Sequence, residues 1–474
     1  MIILGTNSIK DTGYDVDNSL RFNTASSDFL NRTPSSAGNR RTWTFSCWIK
    51  KSDAGTNNDD LFNGGSAGTN HDLIFLRNDN KFEAKNYSSS AFQYRITTNR
   101  LFRDVSAWYH LVVAFDSTQG TESNRVKLYV NGVQETSLEN ANYPSQNFDS
   151  NFNNTVIQTF GRGIESGTSS TYRYLKGYAS ELCWIDGQQL DPTSFGEFDE
   201  DSGIWKPIDV SGLTFGTNGF YLDFENSGSL GADVSGNGNN FTVNNLTSID
   251  QSTDTCTNNF ATWNPLFNYY AQATFSEGNL QVITSNSATN VTPLVSTMGV
   301  STGKWYCEVK YSASTGGDFP RVGVCSKVAD RGTNQSLEND VNDHAYQGSD
   351  GNYLNNATSV SYGATYTTGD IIGVALDLDN GYVYFHKNGT YQNSGDPTSG
   401  ATGTGGKSVN LGNTYFFATS DIAYALSHTM QGNFGSPPFT ISSGNSDANG
   451  YGNFEYAVPS SYYSLCTKNL SEFG

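Results

Sequence analysis

The segment from Gly369 to Gly389 constrains the fold most, because it encodes two strands joined by a tight turn. An Asp-Asn-Gly turn at 379–381 separates two apolar runs, and an Asn-Gly turn at 388–389 closes the second run. Glycine adopts the positive φ that such hairpin turns require. Side chains alternate along a strand, so the second strand presents two unlike faces. One face carries Tyr382, Tyr384 and His386, and the other carries Val383, Phe385 and Lys387. This pattern predicts an antiparallel β-sandwich, a fold that displays loops and usually works by binding.

The same segment resembles the central signature of SPRY/B30.2 domains, which runs from Gly-Asp-x-Ile-Gly to Val-x-Phe-x-Lys-Asn-Gly. Three further pieces follow the family order. Gly303–Val309 resembles the family's early G-x-W-Y-x-E-V strand, Arg321–Cys325 its x-x-G-V strand, and Asn433–Phe439 its closing segment. The resemblance implies a module that binds a protein or a ligand and has no catalytic residues.

Length and charge limit the remaining alternatives. A chain of 474 residues is expected to form two or three domains at ~150 residues each. Asp and Glu total 46 against 27 Lys and Arg, a net charge of -19. Such a surface repels phosphate backbones, so we expect no nucleic-acid binding. Charged residues make up 15% and aromatic residues 13% of the chain, a mixture that suits strands and turns rather than helices.

Neither a membrane segment nor a disulfide framework is expected. The apolar runs, such as Leu111–Phe115, have strand length and are too short to span a bilayer. Met1–Gly5 lacks the basic region and the apolar length of a signal peptide. The six cysteines are scattered, so we expect mostly free thiols and assembly in a cytoplasm.

The N-terminal half repeats the strand-and-turn pattern. Predicted strands there are short, regular and bounded by Gly and Asn turns, which favours a sandwich or jelly roll. They cover Ser19–Asn23, Thr42–Lys50, Trp108–Asp116, Arg125–Val133 and Ala179–Ile185. On the second of them, Trp43, Phe45, Cys47 and Ile49 share one face. The phrases F-x-C-W-I-K, W-Y-H-L-V-V-A-F-D and K-L-Y-V-N-G resemble laminin-G-like, concanavalin-A-like domains.

The predicted fold class is therefore all-β, with two concanavalin-A-like antiparallel β-sandwiches (jelly rolls) in tandem. We predict a laminin-G-like sandwich over residues 1–205 and a SPRY-like sandwich over residues 263–474. Residues 206–262 are expected to form an ordered connecting segment, because aromatic residues recur in it. This segment either completes one sandwich or packs between both.

Three unusual phrases resemble a recurring type of virion or tail protein of marine bacteriophages. They lie at Asn31–Ser46, Asp233–Leu246 and Thr257–Leu266. The resemblance implies a particle-associated protein, located in the virion, with other virion proteins as partners. A homo-oligomer is expected, although no heptad stalk or repeat requires one.

Catalytic patterns are weak, and we expect no enzyme. Glu197, Asp199 and Asp201 would share one face of a strand, and paired carboxylates suit glycoside hydrolysis. However, Pro192, Gly196 and Gly203 flank the run, so a solvated acidic loop is the expected structure. The five histidines show no zinc-binding spacing.

No cofactor is required by the pattern, but two oxygen-rich loops would suit calcium. One contains Asp53, Asp59 and Asp60, and the other contains Asp233, Asn237 and Asn239. Laminin-G-like domains often bind calcium at one rim, so the resemblance agrees with a calcium site. The same residues are also typical of ordinary acidic turns.

For ligand binding, exposed aromatic side chains are the natural candidates, since rings stack on sugars and anchor interfaces. We predict ligand contacts by His344, Tyr346 and Tyr353 in a loop at 343–353, and by Tyr382 and Tyr384 on the second strand of the hairpin described above. The alternative is that these tyrosines only cover the sheet.

Three functions follow from these patterns. The first is a virion surface protein that binds a host-surface glycan or protein through loops of lectin-like sandwiches, as in a tail fibre or spike. The second is a structural component without a free ligand, such as a capsid decoration or tail assembly protein. The third, a glycan-degrading enzyme, rests on Glu197 and Asp199 alone.

Overall fold

The computed structural model of the chain describes residues 12–53, 55, 57–66, 70–164, 172–268, 272–284, 293–317, 320–326, 335–421 and 426–474. The expectation about Met1–Gly5 therefore lies outside the described residues. The chain forms two compact units that adjoin in sequence at Thr257 and Asn258. We call the described residues up to Thr257 the first unit and those from Asn258 the second unit.

Almost all regular structure of the first unit is strand. In chain order the strands are β1 (Ser19–Phe22), β2 (Phe29–Arg32), β3 (Thr42–Lys51), β4 (Asp59–Ser66), β5 (Asn70–Leu76), β6 (Phe82–Ser88), β7 (Ala91–Thr98), β8 (Trp108–Asp116), β9 (Val126–Val130), β10 (Val133–Gln134), β11 (Leu138–Asn142), β12 (Gln158–Phe160), β13 (Arg162–Ile164), β14 (Tyr172–Tyr174), β15 (Gly177–Asp186), β16 (Gly196–Phe198), β17 (Trp205–Pro207), β18 (Phe220–Leu222), β19 (Thr242–Asn244) and β20 (Gln251–Ser252). Single 3-10 turns occur at Glu122–Asn124, Pro192–Ser194 and Ser248–Asp250.

Two antiparallel sheets build the first unit. The front sheet has the strand order β10-β9-β8-β3-β15-β1-β20, and β18 also pairs with β15. The back sheet has the order β11-β7-β6-β5-β4-β12-β2-β19. Two hairpins, β13–β14 and β16–β17, form separate two-stranded sheets.

One apolar cluster joins the two sheets of the first unit. The predicted inward face of β3 is confirmed, because all four side chains are 0% exposed and belong to this cluster: Trp43, Phe45, Cys47 and Ile49. From the back sheet, the ring of Phe62 stacks on Phe45 at 6.0 Å and lies 5.0 Å from Trp184. Burying each such large apolar side chain contributes about 1.5–3 kcal/mol, which makes the sheet contact the main source of stability.

The segment expected as a connector contributes strands to the first unit. β18 pairs with β15, β19 pairs with β2, and β20 pairs with β1. The buried Lys50 ammonium lies 2.6 Å from an Asp254 carboxylate oxygen, which ties the end of the segment to β3. Residues 206–257 are therefore part of the first sandwich.

The second unit is a second antiparallel sandwich. Its strands are β21 (Thr274–Ser276), β22 (Gln281–Ile283), β23 (Leu294–Val295), β24 (Lys304–Ser314), β25 (Arg321–Cys325), β26 (His344–Gln347), β27 (Asn352–Asn355), β28 (Thr358–Ser361), β29 (Ile371–Asp377), β30 (Tyr382–Lys387), β31 (Thr390–Tyr391), β32 (Lys407–Ser408), β33 (Phe416–Ser420), β34 (His428–Asn433) and β35 (Tyr463–Ser464), followed by the helix α1 (Thr467–Phe473). Single 3-10 turns occur at Glu277–Asn279, Gln392–Ser394 and Gly400–Thr402.

The large sheet of the second unit has the order β21-β22-β34-β24-β29-β30-β31, with β32 on β30 and β35 on β24. The small sheet has the order β23-β33-β25-β26-β27-β28. The predicted hairpin is confirmed as β29 and β30, and its turn glycine Gly381 has φ 79°. Val383 and Phe385 share one face, as the alternation predicted, and the structure shows that this face lies against the core between the sheets. The predicted all-β fold class is thus confirmed for the described chain.

All six cysteines are free thiols, and five of them are buried. Among the described residues, no helix is long and apolar enough to cross a membrane.

Candidate functional site

The segment predicted as an exposed binding loop forms two paired strands, so that expectation was wrong. His344 and Tyr346 lie in β26 and Tyr353 lies in β27, and Asp350-Gly351 makes the turn between them. The physical reason is that Gly351 takes φ 71°, which permits a tight hairpin where we expected an irregular loop.

These side chains are buried instead of exposed. Tyr346 is 0% exposed and Tyr353 is 8% exposed, and both belong to the core between the sheets. Nδ1 of His344 lies 2.6 Å from the Tyr353 hydroxyl oxygen. Their observed contacts are structural, and ligand binding by them stays a prediction.

Tyr382 and Tyr384 lie on the opposite face of the large sheet, so the structure does not bring them to the core cluster of Tyr346 and Tyr353. Tyr384 is fully buried there, in a cluster with Tyr306 and Phe454. Tyr382 is half-buried in the same cluster. Their position matches the alternative given in the sequence analysis, that these tyrosines cover the sheet.

The acidic residues proposed for calcium are engaged by the protein itself. An Asp59 carboxylate oxygen lies 3.5 Å from the Lys51 ammonium, and burial raises the pKa of Asp59 to about 7. Asp60 accepts a 2.8 Å hydrogen bond from Nε of Arg173. Asp53 accepts from the Gly55 backbone amide.

In the second loop, Asp233 accepts hydrogen bonds from the backbone amides of Tyr221, Ser235 and Asn239. Asn237 donates to the carbonyl oxygens of Gly216 and Gly219. Among the described residues, no group of three or more His, Cys, Asp and Glu side chains is placed to hold a metal ion. Calcium binding stays a prediction.

The acidic run at 197–201 begins in the small hairpin β16–β17, outside both sheets of the sandwich. Its Glu197 and Asp199 carboxylates lie 3.4 Å and 3.6 Å from the Lys206 ammonium. The Glu197 side chain is 58% exposed. The structure thus places these carboxylates on a surface hairpin instead of a long strand of the sandwich.

The most unusual surface of the first unit is the outward face of β4–β7 in the back sheet. Core residues Phe62, Ile74, Ala84 and Ile96 mark the inward face of these strands, so the alternate positions point outward. Cross-strand register arranges the outward residues in three rows: Asp60, Phe75, Glu83 and Thr97; Asn63, Leu73, Lys85 and Arg95; and Gly65, His71, Tyr87 and Phe92. Together with Arg173 from β14, these residues form what we call the polar face.

Two side chains of the polar face each have two polar atoms that lack hydrogen-bond partners within the described part of the chain. They are Asn63, at both amide atoms, and His71, at both ring nitrogens. The two residues are 1% and 0% exposed. A buried polar group without a partner costs roughly 1–3 kcal/mol, and native proteins contain few of them. Their concentration on one face makes the polar face the candidate functional site of the first unit.

Ion pairs and aromatic rings complete the polar face. Oε2 of Glu83 lies 3.0 Å from Nη2 of Arg95 and 3.2 Å from Nη1 of Arg77, while Oε1 has no hydrogen-bond partner among the described residues. The Lys85 ammonium lies 4.6 Å from the centroid of the Phe75 ring. The pKa of Lys85 is lowered to about 8, mainly because burial removes most of the water around this cation.

Sequence reasoning missed the polar face, although a signal for it exists. In Phe82-Glu83-Ala84-Lys85 apolar and charged residues alternate, which predicts a strand with one polar side. The same alternation normally predicts a solvent-exposed side. It does not reveal that Glu83 and Lys85 are buried and only partly satisfied.

Two family models match this chain. The model described as the concanavalin A-like lectin/glucanases superfamily matches residues 23–177, which include the polar face. The SPRY domain model matches residues 304–406. The fold therefore defines a tandem of lectin-like sandwiches. The chain has an N-terminal laminin-G-like, concanavalin-A-like domain and a C-terminal SPRY domain, as the sequence resemblances implied.

Parts of the chain are also similar to solved structures. The SPRY domain of human HERC1 is 15% identical, with 36% of this chain and 96% of that chain covered and a TM-score of 0.27. A heptameric SAP-like pentraxin from Limulus polyphemus is 15% identical, with 37% and 79% covered and a TM-score of 0.27. A protein from Bacteroides ovatus, provisionally named a carbohydrate binding protein, is 17% identical, with 49% and 59% covered and a TM-score of 0.33.

Proposed function

We propose that this protein binds a glycan through the polar face and acts at the surface of a bacteriophage particle without catalysing a reaction. The carrying observation is the set of buried polar atoms on the polar face that lack partners. Sugar hydroxyl groups both donate and accept hydrogen bonds, so a sugar would satisfy the amide of Asn63 and the imidazole of His71 together. The lectin-like class of the first sandwich supports a binding role.

Aromatic rings at the edge of the polar face support the same proposal. Phe92 is 38% exposed, and its ring centroid lies 5.3 Å from that of Tyr87. Rings of this kind offer an apolar surface for the face of a sugar ring. A sugar stacked on Phe92 would place its hydroxyl groups over β5 and β6, where the unsatisfied atoms lie.

The virion part of the proposal is supported by the sequence phrases at Asn31–Ser46, Asp233–Leu246 and Thr257–Leu266. In this proposal the partners are other virion proteins and a host-surface glycan, the assembled form is a homo-oligomer, and no resident cofactor is needed. Mass spectrometry of purified particles made from the genome that encodes the chain tests this location. Absence of the chain from the particles would contradict it.

The binding part is tested on a glycan array with the purified protein, with and without EDTA. We expect specific binding that survives EDTA and falls roughly tenfold in Phe92→Ala, the order expected for one lost stacking contact. Phe198→Ala is the matched control, because Phe198 is also an exposed phenylalanine, at 50%, but lies in the hairpin β16–β17. Equal loss in both variants, or no binding by the intact protein, would refute the proposal. A chain found in particles that binds no glycan would be a structural component.

A further inference from the structure

We infer that the sugar bound at the polar face carries an acidic group, a carboxylate or a sulfate ester, which the Lys85 ammonium holds beside the ring of Phe92. This inference rests on the proposed glycan binding and specifies its ligand class. The main observation is that the Lys85 ammonium contacts no negatively charged side chain among the described residues.

Lys85 is 5% exposed, and among the described residues its ammonium makes no hydrogen bond or ion pair. The observed neighbours of the ammonium are rings, with Phe75 at 4.6 Å and Phe92 at 5.8 Å from the ring centroids. A buried ammonium normally sits against a carboxylate or several acceptors, because its desolvation is costly. The polar face therefore holds a cation whose natural partner is an anion from outside the chain.

The carboxylates nearby are already committed to other cations. Asp60 is paired with Arg173 at 2.8 Å, and Glu83 is paired with Arg95 at 3.0 Å. The polar face contains three cations and two anions, so it has one positive charge in excess: Lys85, Arg95 and Arg173 against Asp60 and Glu83. This local excess is notable in a chain whose net charge is -19.

Further nitrogen atoms on the same face have no hydrogen-bond partners among the described residues. They are Nε of Arg95, the amide nitrogen of Asn63 and the ring nitrogens of His71. Burial lowers the pKa of His71 to about 4, so at neutral pH its imidazole offers one N–H donor. Several donors on the face that carries the Lys85 cation match the several acceptor oxygens of a carboxylate or a sulfate.

The cluster reaches the protein surface at Phe92. The Arg95 guanidinium lies 5.1 Å from the centroid of this ring, and Lys85 approaches it from the sheet. A sugar ring stacked on the 38% exposed Phe92 would bring an acidic substituent within reach of both cations. Burial is the main cause that lowers the pKa of Lys85; the carboxylates of Glu83 and Asp60 act against this shift and the like charges of Arg173 and Arg95 add to it. A bound anion would raise the pKa of Lys85 again.

The experiment compares pairs of probes that differ in charge. Tetragalacturonate and its methyl ester form one pair, and a sulfated galactan tetrasaccharide and its unsulfated counterpart form the other. Binding of the intact protein is measured by calorimetry. We expect at least one acidic probe to bind about tenfold or more tightly than its neutral partner, the order expected for hydrogen bonds to a charged group. The pair that shows the difference identifies the anion.

Lys85→Met tests the residue itself, because methionine keeps the apolar stem against Phe75 and removes the charge. The preference for the acidic probe should disappear in this variant and persist in Lys127→Met, whose lysine lies in β9 of the front sheet. Near-ultraviolet circular dichroism shows whether each variant keeps its packing. If acidic and neutral probes bind equally, the inference fails while glycan binding stands. If no sugar binds, the proposed function fails with it.

Discussion

Breaking the buried pair of Lys50 and Asp254 should strongly destabilise the first unit. The two charged atoms lie 2.6 Å apart, and each side chain is 1% exposed. Nε1 of Trp108 donates a 3.0 Å hydrogen bond to the other carboxylate oxygen of Asp254. Asp254→Asn keeps the shape of this side chain but removes the charge that balances Lys50.

The expected cost is about 3–5 kcal/mol of unfolding free energy, because removing one partner leaves a buried charge uncompensated. A matched control exists in the same unit. Arg41 and Asp149 lie 2.8 Å apart with both side chains 45% exposed, and such surface pairs contribute little to stability. Asp149→Asn should therefore be nearly neutral.

Hydrogen exchange measured by mass spectrometry reports each unit from its own peptides. At about 1.4 kcal/mol per tenfold, exchange of the most protected amides in Thr42–Lys51 should be between two and four powers of ten faster in Asp254→Asn. In Asp149→Asn the change should stay below about fivefold. Similar changes in the two variants would refute the reasoning that burial decides the strength of the pair. Full protection in Asp254→Asn would refute it as well.

Three further outcomes are expected. Burial raises the pKa of Glu308 to about 7. Since the neutral acid is favoured in the folded state, this group should cost the second unit up to about 3 kcal/mol of unfolding free energy as pH rises from 4.5 to 7. Burial also raises the pKa of Asp421 in the same unit, to about 6, so Glu308→Gln should reduce the slope in urea titrations and leave the part that Asp421 contributes. Gly323→Ala would place a Cβ atom 1.8 Å from the His344 carbonyl oxygen. It should lower the unfolding free energy by about 3 kcal/mol or more, at or above the upper end of the cost of adding a methylene group to a packed core. The half-buried Cys256 is the least enclosed thiol, so Ellman's reagent should modify at most one cysteine in the native protein and all six after denaturation; faster modification of a buried cysteine would contradict the packing.

Local rules predicted much of the fold. The strand Arg321–Cys325 has the bounds that the sequence indicated, and the hairpin turn at Gly381 was located from Asp-Asn-Gly alone. These features depend on side-chain alternation and on glycine torsion angles, which neighbouring residues determine. The helix α1 was not anticipated, because the seven residues after Cys466 carry no clear capping signal.

The candidate site depends on contacts between distant segments, and for that reason the sequence did not reveal it. Asp60 was assigned to a calcium loop, but Arg173, more than a hundred positions away, supplies its partner. Tyr346 was expected in an exposed loop, and the second sheet buries it. The alternation of side chains predicts that Lys85 points away from the core. Its burial, with 5% of the residue exposed, depends on the assembled back sheet and cannot be predicted from the alternation.

The pairing of β1 with β20 has a consequence during synthesis. Ser19 lies opposite Ser252 in the front sheet, and the two residues are 233 positions apart in the chain (252 − 19). At roughly 5–20 residues per second, a ribosome needs roughly 12–47 s to add that length. During this interval one edge of the nascent front sheet remains open to pairing with other chains. The first sandwich therefore becomes complete only after β20 has been made, and a chaperone has that interval in which to protect it.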